Sequence, residues 1–271
     1  MPASLILVGC GKMGDALLEG WLARGLRAAD ITVVEPNADI ADTLRARHGV
    51  AVLSAPGDIA ESAEPDVVVF SVKPQVMDAV APGYARFAGP ATVFLSIAAG
   101  KPIAFFEAAL GDRAAIVRSM PNTPAAIRRG ITVACANRRV TADQRALCQD
   151  LLEAVGEVAW VDDEGLLDAI TALSGSGPAY VFLLAECMAR AGVEAGLPEA
   201  LAKRLARVTV AGSGELLHRS EEPPEVLRRN VTSPGGTTAA ALEVLMAEDG
   251  WQRLISKAIA AAAKRSRELA G

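Results

Sequence analysis

The run SLILV at residues 4–8 has no polar face and passes without a break into GCGKMG and a helical pattern. A strand apolar on both sides needs cover on both, which places it inside a parallel sheet flanked by helices. Seven further short runs follow: ITVV (31–34), VAV (50–52), DVVVF (66–70), ATVFLS (91–96), AAIVRS (114–119), ITVAC (131–135) and EVAWV (157–161). Several lack alternation, and helical patterns separate them, so the expected fold is an open parallel α/β sheet. Beyond Asp162 no strand is expected. VFLLAECMA (181–189) is apolar nearly all round, as a helix surrounded by other helices would be, and LISKAIAAAAKRSREL (254–269) is Ala-rich and strongly helical. The composition shift divides the chain into an α/β domain at 1–162 and an all-α domain at 163–271.

Bulk properties narrow the function classes. A chain of 271 residues, 51% hydrophobic, buries a sizeable core. Its net charge of −5 argues against non-specific binding to nucleic acid or to an anionic membrane. Cys10, Cys135, Cys148 and Cys187 show no CxxC spacing and have no neighbouring histidine, so no metal site and no disulfide framework is expected. The N-terminal segment enters a strand without a basic leader, and no unbroken apolar run reaches about 18 residues. A cytoplasmic location is expected.

In LVGCGKMG, Gly9, Gly11 and Gly14 form GxGxxG between a strand and a helix. The first glycine permits the tight turn, the second lets backbone approach a pyrophosphate, and the third lets helix pack on strand, while the helix N-terminus offers amide donors. Glu35 ends the second strand about 20 residues further on, where an acid can accept from a ribose diol. Strand, helix and acid together predict a dinucleotide site. The fourth strand runs into Ser71, Val72, Lys73 and Pro74, and the fifth into Ile97, Ala98 and Ala99. Both loops leave the carboxyl ends of strands, the edge where ligands bind in such sheets. SMPNTPAAI, after the sixth strand, is either a third cleft loop or a turn before the next strand.

The second domain holds LSGSGPAYVF (173–182) and NVTSPGGTTAAALEVL (230–245). Gly175 and Gly177 remove side chains where a helix is expected to begin, with Pro178 in its first turn. In SPGGTT, Ser233, Thr237 and Thr238 surround Gly235 and Gly236 at a helix start near Thr237. Hydroxyls and free amides at such a start make a small carboxylate site without any lysine or arginine. An ordinary N-cap has the same composition, so the spacing leaves both readings open.

GCGKMG, SVKPQ, SIAAGK, MPNTPAAIRRG, LSGSGPAY and NVTSPGGTTAAALEVL occur in one order, and this order resembles that of the pyrroline-5-carboxylate reductases. The similarity runs from Leu5 to about Leu254. It implies a Rossmann-type dinucleotide-binding domain followed by an all-α dimerisation domain, homodimers that assemble further, up to a decamer, and NAD(P)H as cofactor. By the same resemblance Gly9, Cys10, Gly11, Lys12, Met13 and Gly14 surround the pyrophosphate, and the loops 71–74 and 97–99 line the rest of the cofactor. Ser233, Gly236, Thr237 and Thr238 hold the substrate carboxylate, Thr238 also lies near the ring nitrogen as the catalytic residue, and Glu221 of the second copy approaches that nitrogen, with Glu222 beside it. Asp58 stands near where the family commonly has asparagine.

Reducing a protonated imine needs orientation more than a strong acid. His48 and His218 are therefore expected to be solvated bystanders. A β-hydroxyacid dehydrogenase of the same plan needs a base, usually a lysine on the first long helix of the second domain. Lys203, Lys257 and Lys264 all lie elsewhere, which favours imine reduction over that alternative, while the intact SPGGTT loop and the complete glycine motif argue against a silent nucleotide-binding regulator. The carboxylates of Glu35 and Asp58 tilt the expected choice modestly to NADH, against Asn37, Arg45 or Arg47 as receivers of a 2′-phosphate.

Overall fold

The computed structural model describes residues 4–270. Its first part alternates strands and helices: β1 (Leu5–Val8), α1 (Lys12–Ala23), β2 (Ile31–Val34), α2 (Ala38–His48), β3 (Ala51–Leu53), β4 (Val67–Phe70), α3 (Met77–Val80), β5 (Val93–Ser96) and α4 (Ile103–Leu110). Then come β6 (Ala115–Met120), β7 (Gly130–Ala136), α5 (Ala142–Leu152) and β8 (Gly156–Trp160). The remainder is helical: α6 (Leu166–Ile170), α7 (Gly177–Glu194), α8 (Glu199–Arg219), α9 (Pro224–Asn230), α10 (Thr237–Leu245) and α11 (Trp251–Ala270).

All eight strands join one sheet in the order β3-β2-β1-β4-β5-β6-β7-β8. The lack of alternation in the apolar runs is explained by two cores, one on each face. Leu5, Leu7, Val67, Val69, Val93 and Leu95 face a cluster built with Leu17, Leu18 and Trp21 of α1 and with Leu151 and Leu152 of α5. Their sequence neighbours Ile6, Val8, Val68, Phe70 and Phe94 face a second cluster with Tyr84, Phe106 and Leu110. The period of two along each strand separates the faces. Trp21 is fully buried, and its indole nitrogen donates to the Leu151 carbonyl at 2.9 Å, fixing α1 against α5.

One departure from the expected parallel sheet is the pair β6–β7, which is antiparallel. A parallel return needs a crossover of a dozen or more residues. The connection here is shorter, and it is taken up by a 3₁₀ turn at Thr123–Ile127 and by Arg128 in the left-handed region (φ 57). Asn122 pins this turn, accepting from the Ile131 N–H and donating to the Ser174 carbonyl.

The chain forms two compact units, one reaching to Gly175 and including the stretch from Ala263 on, the other Ser176–Ala262. The sheet ends at Trp160, but Leu167 of α6 is buried in the second core cluster, which carries the first unit further along the chain. The last turns of α11 also belong to it, for Ser266 is buried and its hydroxyl donates to Asp168 at 2.6 Å.

The second unit is different in kind. α7 and α8 pack on each other, yet among the described residues of this unit only Ala189, Ala202 and Ala206 are buried. Val181, Phe182, Leu183 and Met188 of α7, expected to be surrounded by helices, are exposed in the single chain. The unit builds no core of large side chains alone. Leu166–Glu194 is also one helical stretch of 29 residues, long and apolar enough by length and composition to cross a bilayer. An unbroken apolar run is absent there because Asp168, Glu186 and Arg190 interrupt it. A π-helical turn at Thr171–Gly175 lies inside this stretch, so Gly175 ends a turn already begun, and α7 then starts at Gly177 with Pro178 in its first turn, as the sequence predicts.

Candidate active site

β1 and β4 are sheet neighbours although three strands apart in the chain order, so the direction of winding reverses between them. Ligands of such sheets bind at that reversal, beyond the carboxyl ends of the strands. The ladder runs one residue past each strand. Gly9 N–H donates to the Val34 carbonyl at 2.8 Å, Ser71 N–H to Val8 at 2.8 Å and Ile97 N–H to Phe70 at 3.1 Å. The three loops picked out in the sequence therefore leave the sheet side by side.

The glycines make a cradle there. Gly9 has φ +78, and a Cβ on it would lie 2.5 Å from Val72 Cγ1. A Cβ on Gly14 would meet Ser71 Oγ at 2.8 Å and the Gly9 carbonyl at 2.9 Å, whereas one on Gly11 would have no atom within 4 Å. Loop, neighbouring strand end and helix are thus in close contact everywhere except over Gly11, where backbone faces open space at the start of α1. No side chain caps α1. The Ser71 hydroxyl is buried without a hydrogen-bond partner. Such an orphan beside an uncapped helix start fits a group that brings acceptor oxygens. Lys12 and Lys73 are exposed on either side, and neither has an ion-pair partner among the described residues. A dinucleotide pyrophosphate fits this charge pattern. Met13 is half-buried and packs against the first core cluster. The Cys10 thiol is buried, and burial, followed by Asp15 and Glu35, pushes it up to about 12, which keeps it neutral.

At the end of β2, Glu35 is buried and already engaged. One carboxylate oxygen accepts from Cys10 N–H at 3.1 Å and the other from Asn37 N–H at 3.0 Å. The Asn37 side chain caps α2 by accepting from Ile40 N–H. Asp58 accepts from the Ser54 hydroxyl and the Ala55 N–H, closing its own 3₁₀ turn. Arg45 pairs with Asp42 and donates to the Val52 carbonyl. Arg47 pairs with Asp15 and Glu19.

His48 is not the solvated residue expected. Its side chain is 7% exposed and its Nε2 lies 3.1 Å from Asp15 Oδ1. The ligand atoms of Asp15, Glu19 and His48 fall within 4.8 Å of one another, but Arg47 donates to both carboxylates and answers their charge. The group ties α2 to α1. His218 is exposed in the last turn of α8.

The third loop, with Ile97, Ala98 and Ala99, is held at both ends. Ala98 N–H donates to Ser96 Oγ, and Lys101 pairs with Asp78 at 2.6 Å while lying over the Phe105 ring. Beyond it, Glu164 accepts from Ile103 N–H at the start of α4 and from Arg118 at 2.6 Å. Sequence reading missed this pair. The available signal was an arginine inside the apolar run AAIVRS, whose partner, 46 residues away, the sequence does not reveal. Breaking a buried pair leaves an uncompensated charge. Since Glu164 is 29% exposed, Arg118→Met should cost about 2 to 3 kcal/mol, below the usual range. Thermal unfolding of this variant, and a smaller loss in Arg118→Met with Glu164→Gln, checks it.

In the second unit the SPGGTT loop turns through Gly235 (φ +69), and Gly236 N–H donates to the Ser233 carbonyl at 3.0 Å. Gly236 is the N-cap of α10 and no side chain caps the helix. Ala240 N–H to the Gly236 carbonyl, at 3.2 Å, is the first helical bond, so the amides of Thr237, Thr238 and Ala239 precede it. Ser233 and Thr237 are exposed, while Gly236 and Thr238 are half-buried. A Cβ on Gly236 would fall 2.5 Å from Ser233 Oγ, so glycine is what lets that hydroxyl lie across the helix start. Glu221 is exposed in the connection from α8 to α9, next to Glu222, whose N–H donates to Ser220 Oγ.

Both parts of the chain match known families. A family model described as pyrroline-5-carboxylate reductase dimerisation matches residues 164–269, and one described as NADP oxidoreductase, coenzyme F420-dependent, matches residues 4–100. The pyrroline-5-carboxylate reductase of Pseudomonas aeruginosa is 42% identical over 266 residues, covering 98% of this chain and 96% of the relative. The chain belongs to the pyrroline-5-carboxylate reductase family. A solved family structure from Coxiella burnetii superposes with a TM-score of 0.93 at 34% identity, covering 100% of both chains. Another, from Plasmodium falciparum and solved with NADP bound, gives 0.82 at 28% identity, covering 99% of this chain and 98% of that one. The family explains why α7 and α8 expose apolar faces in a single chain: they lie in its dimerisation region.

Proposed function

We propose that this chain reduces 1-pyrroline-5-carboxylate to L-proline with NAD(P)H. The observation that carries the reading is the uncapped start of α10, where free amides and three hydroxyls form a carboxylate site with no formal positive charge. Residues 1–162 serve as the dinucleotide-binding domain and 163–271 as the dimerisation and substrate domain. Gly9, Cys10, Gly11, Lys12, Met13 and Gly14 hold the pyrophosphate, with Ser71 turning its orphaned hydroxyl to the cofactor. Val72, Lys73, Pro74, Ile97, Ala98 and Ala99 line the remainder, and Glu35, Asn37 and Asp58 border the ribose end. When bound, the reduced nicotinamide supplies a hydride to the imine carbon.

Ser233, Gly236 and Thr237 hold the substrate carboxylate. Thr238 holds it too and orients the ring nitrogen, which is protonated before reduction and keeps that proton as the amine. A positive charge is lost as hydride arrives, so a site with little formal charge suits the change. Glu221 of the second copy stands near the nitrogen. The enzyme works in the cytoplasm as a homodimer that assembles further, and both cofactors serve. Loss of NADH or NADPH absorbance on adding the imine, with proline formed in equal amount, tests the activity; no oxidation of either overturns it. Light scattering at assay concentration should show no active monomer, because Phe182, Leu183 and Val208 would otherwise face water.

A further inference from the structure

Glu35 stands where a ribose-reading acid is expected, yet both of its oxygens are committed to backbone. The Cys10 N–H it accepts lies between Gly9 and Gly11, in the part of the loop that faces open space, and the Asn37 N–H belongs to the N-cap of α2. Its own N–H continues the ladder to the Leu53 carbonyl at 2.9 Å. One buried carboxylate thus joins the end of β2, the glycine loop and the first turn of α2 by charge-assisted hydrogen bonds, the stronger kind. The groups that could discriminate at the ribose are committed as well: Arg45 to Asp42 and Val52, Arg47 to Asp15 and Glu19, Asp58 to its own turn.

We infer that Glu35 is a positioning residue that holds the Cys10 amide and so fixes the glycine loop in its dinucleotide-binding shape, for NADH and NADPH alike. This rests on the dinucleotide reading of the loop given above. Glu35→Gln keeps the shape but turns an amide NH₂ toward one of the two N–H donors. Titration of the full-length protein with NADH and with NADPH should show both dissociation constants raised about tenfold, the loss of one charge-assisted bond. Their ratio should move by less than about threefold, the scale of a single exposed charge. The kcat at saturating dinucleotide should fall by less than the dissociation constants rise, whereas a general loosening of the fold would lower both kcat and affinity together. Glu35→Asp, which keeps the charge and loses reach, should give a smaller loss shared equally. A loss for NADH with a gain for NADPH would make Glu35 a ribose reader and overturn the inference, as would unchanged constants for both. Wild-type protein that binds neither dinucleotide would overturn the underlying reading, and the inference with it.

Discussion

Gly156→Ala should lower the unfolding free energy by about 3 to 5 kcal/mol, among the largest effects of any single-methyl addition. Gly156 opens β8 with φ 150 and ψ −155, a region that side chains other than hydrogen hardly enter. It is also paired in register with Gly130 of β7. A Cβ there would lie 2.0 Å from the Gly130 carbonyl oxygen, 2.6 Å from its carbon and 2.7 Å from its nitrogen. All three are backbone atoms, so no rotamer change can relieve the contact and two strands must part. Gly57→Ala and Gly89→Ala, whose new methyls meet nothing within 4 Å, should stay within about 0.5 kcal/mol. Thermal unfolding should place Gly156→Ala roughly 6 to 15 °C below the wild type. A shift under about 2 °C would show that the start of β8 moves freely.

Thr238→Ala should lower kcat/KM for the imine about 10- to 100-fold, the usual worth of a hydrogen bond to a charged group. The cap of α10 is Gly236 and no side chain caps the helix, so removing this hydroxyl costs no helix stability. Dissociation constants for the dinucleotides should stay within about twofold. Thr238→Ser, which keeps the hydroxyl, should recover most of the activity. Wild-type kcat/KM in the alanine variant would remove Thr238 from the site.

Each strand of the sheet could be read in the sequence within two residues at either end, because most of them are buried on both faces and so read as short, mainly apolar runs, while β8 shows as an alternating one. The glycine loop was legible for a related reason: a strand followed at once by GxGxxG has few other uses. The start of α10 at Thr237 was equally plain, since the two glycines before it stop any earlier helix. Direction was harder. Nothing in SMPNTPAAIRRG states that β7 runs back along β6; the connection is simply too short to cross over. The helix start at SGSGP was legible too, for α7 begins at Gly177 with Pro178 in its first turn; the π turn that ends at Gly175 just before it was not.

Hydrophobic pattern and special backbone residues act locally, so the sequence by itself determined the strands, the parallel character of most of the sheet, the glycine loop and the loop that starts α10. Pairings between side chains distant in sequence depend on where the fold brings them. Only the tertiary structure decided that Glu35 is held by the Cys10 and Asn37 amides, that Arg47 and His48 turn to Asp15, and that Arg118 meets Glu164. It alone also showed that α7, apolar nearly all round, has its large side chains uncovered in a single chain. Periodicity tells how much of a helix must be covered; which atoms cover it is fixed by three-dimensional packing.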